Sequence, residues 1–488
     1  MAEINHTSPI PLYYQLKLLI EKQIETGELR PGDQIPTEHE LCRRYHISRT
    51  PVRQALLELT REGLLTRTAG RGTFVTPVER KTVTLQVTVS DARWQWPLEE
   101  AARLWNKGQA RPIVKLVFAT VPLDELHDQL SLTVAQGKAP DISVLDSVWV
   151  AEFARRRYLS SLAELDAAWA DEVGDDFYLS LRLANSYQGE QHAVPTNADA
   201  AVLWYRRDWL AAEGFQAPAT WDELVAVGQH FRQPQIRARY QVGDYPFIFA
   251  GGRAAGETTT YQLLPLLMST GADIITEEMV VLDSAASRRA LNFLRRLVHE
   301  EGVASPSVVE QPWDGTWRAL ARGEVALALG GTYENFLIQS AAGWNAATFL
   351  ERVGFVPLPA GPQGAPATLA GGMTYGIYRQ SNHPQEALGL LKLALTPPVL
   401  RAFSLQTGQH PAYIPVTETI GANENGFLGR TAPLFAAAGS RPSLPAYDRV
   451  SAQFQEMVEL CLTGQLPVRT AVRRAAERIA GITGLPLA

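Results

Sequence analysis

Cysteine is nearly absent. The 488-residue chain has two, Cys42 and Cys461, too far apart in sequence to suggest a disulfide framework or a cysteine-ligated zinc. No run of about 18 apolar residues occurs, and no charged start followed by an apolar run opens the chain, so neither a membrane partner nor secretion is expected and the cytoplasm is the expected location. The nine histidines are scattered without an HExxH pair or other metal-ligand spacing. Beyond residue 81 lysine shrinks to Lys107, Lys115, Lys138 and Lys392, none in a convincing cofactor setting, which argues against Schiff-base chemistry. No cofactor and no resident metal are therefore expected. There is no internal repeat and no low-complexity tract.

What is present fits two or three globular domains: 46% of residues are apolar and 20% charged. The net charge of −6 is unevenly spread. Residues 1–80 carry 11 Lys/Arg against 10 Asp/Glu, and the remainder 34 against 41. Between 43 and 71 stand seven arginines and only two acids, Glu58 and Glu62, so basic charge is concentrated in one short segment.

Leu12, Leu16, Leu19, Ile20 and Ile24 repeat at helical spacing and predict a helix over about 12–26, stopped by Gly27 and Pro31-Gly32. Thr37 with Glu40 forms a capping box for a second helix, with Leu41 and Tyr45 facing inward. After the turn His46-Ile47-Ser48, a third helix buries Val52, Ala55, Leu56 and Leu59, while Thr50, Arg53 and Gln54 project away and Arg49 flanks the first turn. Leu64-Leu65-Thr66 and Thr73-Phe74-Val75 predict two short strands around the tip Ala69-Gly70-Arg71-Gly72. This is the layout of a winged helix, in which the third helix enters the major groove and arginine pairs with a guanine edge.

The segments GELRPGDQIPTEHEL, SRTPVRQAL and GRGTFV, in that order, resemble the DNA-binding domain of the GntR family. The resemblance implies DNA contacts at Ser48, Arg49, Thr50, Arg53, Gly70 and Arg71, and at His39, where many relatives carry arginine. It also implies a homodimer on a near-palindromic operator. Arg43 and Arg44 also read as solvated faces, and for Arg61 that reading is preferred.

Thr76 to Lys81 is polar and aperiodic, so the expected domains are 1–76, a linker at 77–81, and 82–488. Val83, Leu85, Val87 and Val89 alternate as a strand, and helix-like and strand-like segments then alternate to the end, as in an α/β region. Four segments, GKAPDISVLDSVWVAEFARRRYLSSL, GEQHAVPTNADAAVLWYRRDWLAAEGFQAPATWDELVAVGQHF, FVPLPAGPQGAPATLAGGMTYGIYRQSNHPQEALGLLKLAL and GQHPAYIPV, resemble the sugar-type solute-binding proteins of ABC importers. The implied fold is a two-lobed α/β periplasmic-binding-protein-like (type II) domain, with crossings near 191–199 and 370–376. Such family members normally begin with an export signal. Here the winged helix takes that place, which points to an intracellular sensor rather than a transport component.

A sugar cleft needs aromatic faces and planar polar groups. The matching positions offer Asp146 and Trp149 after a strand, Asn197 and Asp199 after the first crossing, Tyr261 after the loop 251–257, Trp313 in a polar loop, and Tyr333 after Gly330-Gly331-Thr332. Gly371, Gly372 and Met373 lie at the later crossing, where missing side chains would let backbone N–H groups reach a ligand. Asp146 also reads as a helix cap, and Trp204, Trp209, Trp221 and Trp317 as core. The glycine-rich loop 251–256 has Glu257 where a phosphate loop needs lysine, which rules that reading out. The expectation is a regulator, not an enzyme, binding operator DNA and responding to a sugar or oligosaccharide. The competing readings are a different small solute, a pyridoxal-phosphate enzyme fusion, and a glycosidase whose carboxylates lie far apart in sequence.

Overall fold

The computed structural model describes residues 4–6, 10–68, 70–76, 82–107, 113–420 and 426–488. The expected linker at 77–81 and Ala69 of the expected hairpin tip lie outside the described residues. The chain divides into two compact units, 1–82 and 83–488.

In the first unit, helices α1 (Leu12–Glu25), α2 (Glu38–Tyr45) and α3 (Arg49–Arg61) precede strands β1 (Leu65–Thr68) and β2 (Gly72–Val75). The Thr37–Glu40 capping box forms as the sequence indicates: the Glu40 N–H donates to Thr37 Oγ1 at 3.3 Å and the Thr37 N–H to Glu40 Oε2 at 2.8 Å. His46 ends α2 in the left-handed conformation, turning the chain into α3. Leu16 and Ile20 of α1 pack with Leu41 of α2, Val52, Ala55 and Leu59 of α3, and Leu65 and Val75 of the hairpin. One small core therefore fixes α3 against the hairpin.

The second unit has two sheets. In the first, β3 (Val83–Val89) lies parallel to β4 (Val114–Thr120) and β5 (Ile142–Asp146). A small hairpin, β6 (Ser186–Tyr187) with β7 (Glu190–Gln191), leads to β8 (Ala193–Pro195), which also belongs to this sheet. The second sheet is built on β9 (Asn197–Arg206), with β10 (Phe247–Ile248), β11 (Leu327–Gly331) and β12 (Val353–Val356), and β13 (Ala370–Gly371) pairs with its start. The chain then returns to the first sheet as β14 (Met373–Ile377), antiparallel to both β5 and β8. A last short strand, β15 (His410–Pro411), pairs with β9 at Ala198 and Asn197. The sheets are thus joined at Thr196 and at Gly372.

Strand β9 explains how one domain holds two cores. Nearly every residue of its apolar run is buried, as in a strand covered on both faces. Successive side chains point to opposite faces. Ala198, Ala200, Val202 and Trp204 join the core shared with the first sheet, where Trp204 packs with Phe349, Phe355 and Phe427. Ala201 and Leu203 join the other core, with Trp221 stacked on Phe293 at 4.1 Å, and Leu263, Leu294 and Phe454. Trp204, Trp209, Trp221 and Trp317 are all buried, as expected of core residues.

The glycines at the second crossing permit close packing. Gly372 has φ +156°, and a Cβ there would lie 2.2 Å from the carbonyl oxygen of Asn197. Backbone cannot give way as a flexible side chain would. Gly372→Ala is therefore expected to destabilise the second unit by about 1–3 kcal/mol or more, read as a lower melting temperature in calorimetry with the first unit's transition unchanged.

Candidate functional sites: a winged-helix surface and a polar cleft

In the first unit, Ser48, Arg49 and Thr50 are exposed at the start of α3, and His39 is exposed on α2. Arg53, one turn further along α3, donates from Nε to Glu38 Oε2 at 2.9 Å, and Arg67 of β1 donates to the other oxygen at 3.1 Å. The hydrogen bond from Arg53 holds Glu38 below its ordinary carboxylate range. Both arginines remain about two-thirds exposed, so each fork is oriented by Glu38 with donors to spare. The sequence reading missed Arg67 and Glu38, because their link to α3 joins positions 15 and 29 residues apart. Gly70 has φ +73° at the hairpin tip, and Arg71 is exposed beside it. The Gln34 amide donates to the Arg71 carbonyl at 3.1 Å and braces the tip, and a Cβ at Gly72 would meet that amide at 2.5 Å.

In the second unit a polar cluster gathers where the sheets meet. Asp146 ends β5, and its Oδ1 accepts from the Val148 N–H at 3.2 Å, so it caps the turn that carries Trp149. Asp199 projects from β9 and accepts from the Tyr261 hydroxyl at 2.7 Å. The Tyr333 ring stands 6.1 Å from that of Tyr261, and the missing side chain of Gly331 lets the two rings approach. Burial pushes Asp199 up to about 6, against the opposing pull of Tyr261 and Arg441.

Arg441 organises this cluster. Its guanidinium is almost fully buried; it donates to Glu257 Oε1 at 2.9 Å, stands 3.5 Å from Asp146 Oδ1, and lies over the Tyr261 ring. Burial opposes its charge, but Asp146 and Glu257 outweigh burial and keep it protonated. Tyr447 donates to Glu257 Oε1 at 2.6 Å, and Ser451 to Oε2 at 2.5 Å. A water-sized cavity of about 10 Å³ adjoins Arg441, lined also by Ser147, Val148, Ala370 and Pro442. Arg441 escaped the sequence reading, though a signal existed: it is the sole charged residue between Arg430 and Asp448.

Other expected ligand contacts are placed differently. Asn197 is buried, with its amide already engaged: Nδ2 donates to Gln409 at 3.0 Å and Oδ1 accepts from the Met373 N–H at 2.8 Å. It clamps the crossing, as does Thr196, whose hydroxyl donates to the Met373 carbonyl at 2.7 Å. Gly371 gives room to Asp199, Arg441 and Tyr261, all of which a Cβ would crowd. Trp313 is 49% exposed in the loop before the helix Gly315–Ala321 and has no part in this network among the described residues.

Comparison with known proteins gives this geometry its family. The bacterial extracellular solute-binding protein family matches residues 90–400. The chain belongs to that family. Its N-terminal unit is a helix-turn-helix domain of the bacterial regulatory proteins, gntR family, matched over residues 12–75. This solute-binding-protein-like chain is 26% identical over 316 residues to the "Probable ABC transporter-binding protein" of Deinococcus radiodurans, covering 62% of this chain and 71% of that one. The HTH-type transcriptional repressor NagR of Bacillus subtilis is 53% identical over 72 residues, 15% of this chain. The match spans only 30% of that repressor's length. The maltose-bound T. maritima MalE3 superposes with a TM-score of 0.70 at 26% identity, over 82% of this chain and all of that one. These relatives are regulators and solute-binding proteins, not enzymes. Among the described residues no single helix is long and apolar enough to cross a membrane.

Two outcomes follow from the electrostatics. Arg441→Met leaves Asp146 and Glu257 uncompensated and is expected to cost about 3 kcal/mol, seen as earlier chemical unfolding of the second unit. Glu334 lies buried beside Tyr333 and accepts from Trp204 Nε1 at 2.8 Å, and burial pushes it up to about 8. The folded state thus keeps a proton that the unfolded chain releases, so stability falls as pH rises from about 4.5 to about 8, by up to about 1.4 kcal/mol per pH unit. Denaturant titrations of Glu334→Gln are expected to show a flatter slope over that window.

Proposed function

We propose that this chain is a ligand-responsive transcription regulator: its winged helix reads operator DNA, and its two-lobed domain senses a sugar or oligosaccharide. The observation that carries the reading is the union, in one chain, of a GntR-type helix-turn-helix with a solute-binding-protein fold that gathers Asp146, Asp199, Tyr261, Tyr333 and Arg441 where its two sheets meet. Tyrosine rings can lie against sugar C–H faces, while carboxylates and a guanidinium suit hydroxyls. The maltose held by T. maritima MalE3 supports the sugar class.

On the DNA side, the proposed contacts to bases and phosphates are Ser48, Arg49, Thr50, Arg53 and Arg71, with His39 and Gly70, and the exposure of Ser48, Arg49, Thr50 and Arg71 supports this. Arg67, tied to Glu38 with Arg53, joins this set. The regulator works as a homodimer in the cytoplasm, and closure of the cleft on its effector changes the geometry of the paired reading heads. Asn197, Met373 and Gly372 act as the hinge rather than as ligand contacts, and Trp149 stays a candidate stacking surface at the cleft.

A thermal-shift screen of the full-length protein against mono- and oligosaccharides tests the sensor. A ligand that binds the native state raises its melting temperature by mass action, by roughly 2.7 kcal/mol of added stability at a hundredfold excess over Kd. One sugar class is expected to shift wild type clearly and a Tyr261→Ala, Tyr333→Ala double variant much less. The absence of any shift across the sugars, with a shift from amino acids or polyamines, overturns the sugar assignment.

A further inference from the structure

Beside the cleft, three side chains distant in sequence meet. His127 comes from the helix Leu123–Ala135 and Glu152 from the helix Val150–Arg155, both packed on the first sheet. Asp448 comes from the first turn of the helix Tyr447–Leu462, whose Val450, Phe454 and Met457 belong to the other core. One donor atom from each lies within 4.8 Å of the others. His127 Nε2 is 3.0 Å from Glu152 Oε2 and 3.7 Å from Asp448 Oδ2. A tetrahedral zinc with bonds of about 2.0–2.2 Å sets ligand-to-ligand edges of about 3.3–3.6 Å, between the two separations found.

The surroundings match a metal site as well. The other ring nitrogen of His127, Nδ1, faces Asp128 Oδ1 at 3.4 Å, the kind of carboxylate that orients a ligating imidazole. Arg156 occupies the second oxygen of Glu152 at 2.9 Å and leaves Oε2 for the shared point. The ring is steadied by Trp149 and Phe153, at 5.3 and 5.4 Å between centroids. One imidazole and two carboxylates form a donor set suited to zinc or a similar transition-type divalent ion rather than magnesium, which prefers oxygen ligands alone.

We propose that His127, Glu152 and Asp448 form a divalent-cation site, best matched to zinc, that clasps the two lobes across the cleft. Three protein ligands leave a fourth position open to water or to an effector oxygen. Asp448 directly follows Tyr447, which donates to Glu257 in the Arg441 cluster, so a bound ion steadies the helix turn that supports that cluster. The site stands whichever effector binds.

The test uses untagged full-length protein, stripped with chelator and titrated calorimetrically with zinc chloride and, separately, magnesium chloride. The expected result is one zinc per chain, a raised melting temperature with zinc, and no comparable response to magnesium. His127→Ala and Asp448→Asn are each expected to weaken zinc binding at least tenfold. Asp448→Asn preserves shape and keeps the test decisive if His127→Ala unfolds, which circular dichroism checks. Zinc binding unchanged in Asp448→Asn and in any folded His127→Ala protein, or no zinc binding by wild type up to about 1 mM, overturns the site. DNA binding and sugar response, measured separately, bear on the regulator reading alone.

Discussion

A buried guanidinium has to be paired, and Arg441 finds its partners on both sides of the cleft. Asp146 ends a strand of the first sheet, while Glu257 opens a helix packed in the second core. Taking all three charges out of water is costly unless they meet, so the arrangement is favourable only when both lobes contribute. Tyr261, Asp199, Tyr447 and Ser451 extend the same polar group. A cleft held by polar pairs can exchange them for the hydroxyls of a guest, which an apolar seam could not do.

The crossing strands give that group its fixed geometry. Strand β9 divides its side chains between two cores, so Asp199 is held on the same face as Ala201 and Leu203 and directed at Tyr261. Thr196, Asn197 and Gly372 bind the two crossings to each other through the backbone of Met373 and Asn197.

Much of the fold was legible because its signals are local. The capping box at Thr37 and Glu40, the stripe Val52–Leu59 and the alternation in β3 each lie within one helix or strand, and the structure builds them accordingly. The polar cluster was legible only where a motif ends at it, as at Asp146, Asp199 and Tyr333. The amide partners of Asn197, Gln409 and the Met373 N–H, were not legible because they arrive from remote positions. Arg441 and the trio His127, Glu152 and Asp448 were missed for the same reason: their spacing follows no pattern, and only the tertiary fold brings them together. On α3 the sequence identified the exposed Arg53, but not that Glu38 shares it with Arg67.

In the proposed function one chain couples sugar binding to DNA reading. The most direct measurement is the affinity of full-length protein for a DNA fragment it selects from a random library, by fluorescence anisotropy at fixed salt, with and without the bound sugar. The sugar is expected to change this affinity at least tenfold, a coupling of about 1.4 kcal/mol, and Arg49→Ala to lose sequence preference more than general DNA affinity. An affinity indifferent to a sugar that demonstrably binds would contradict it.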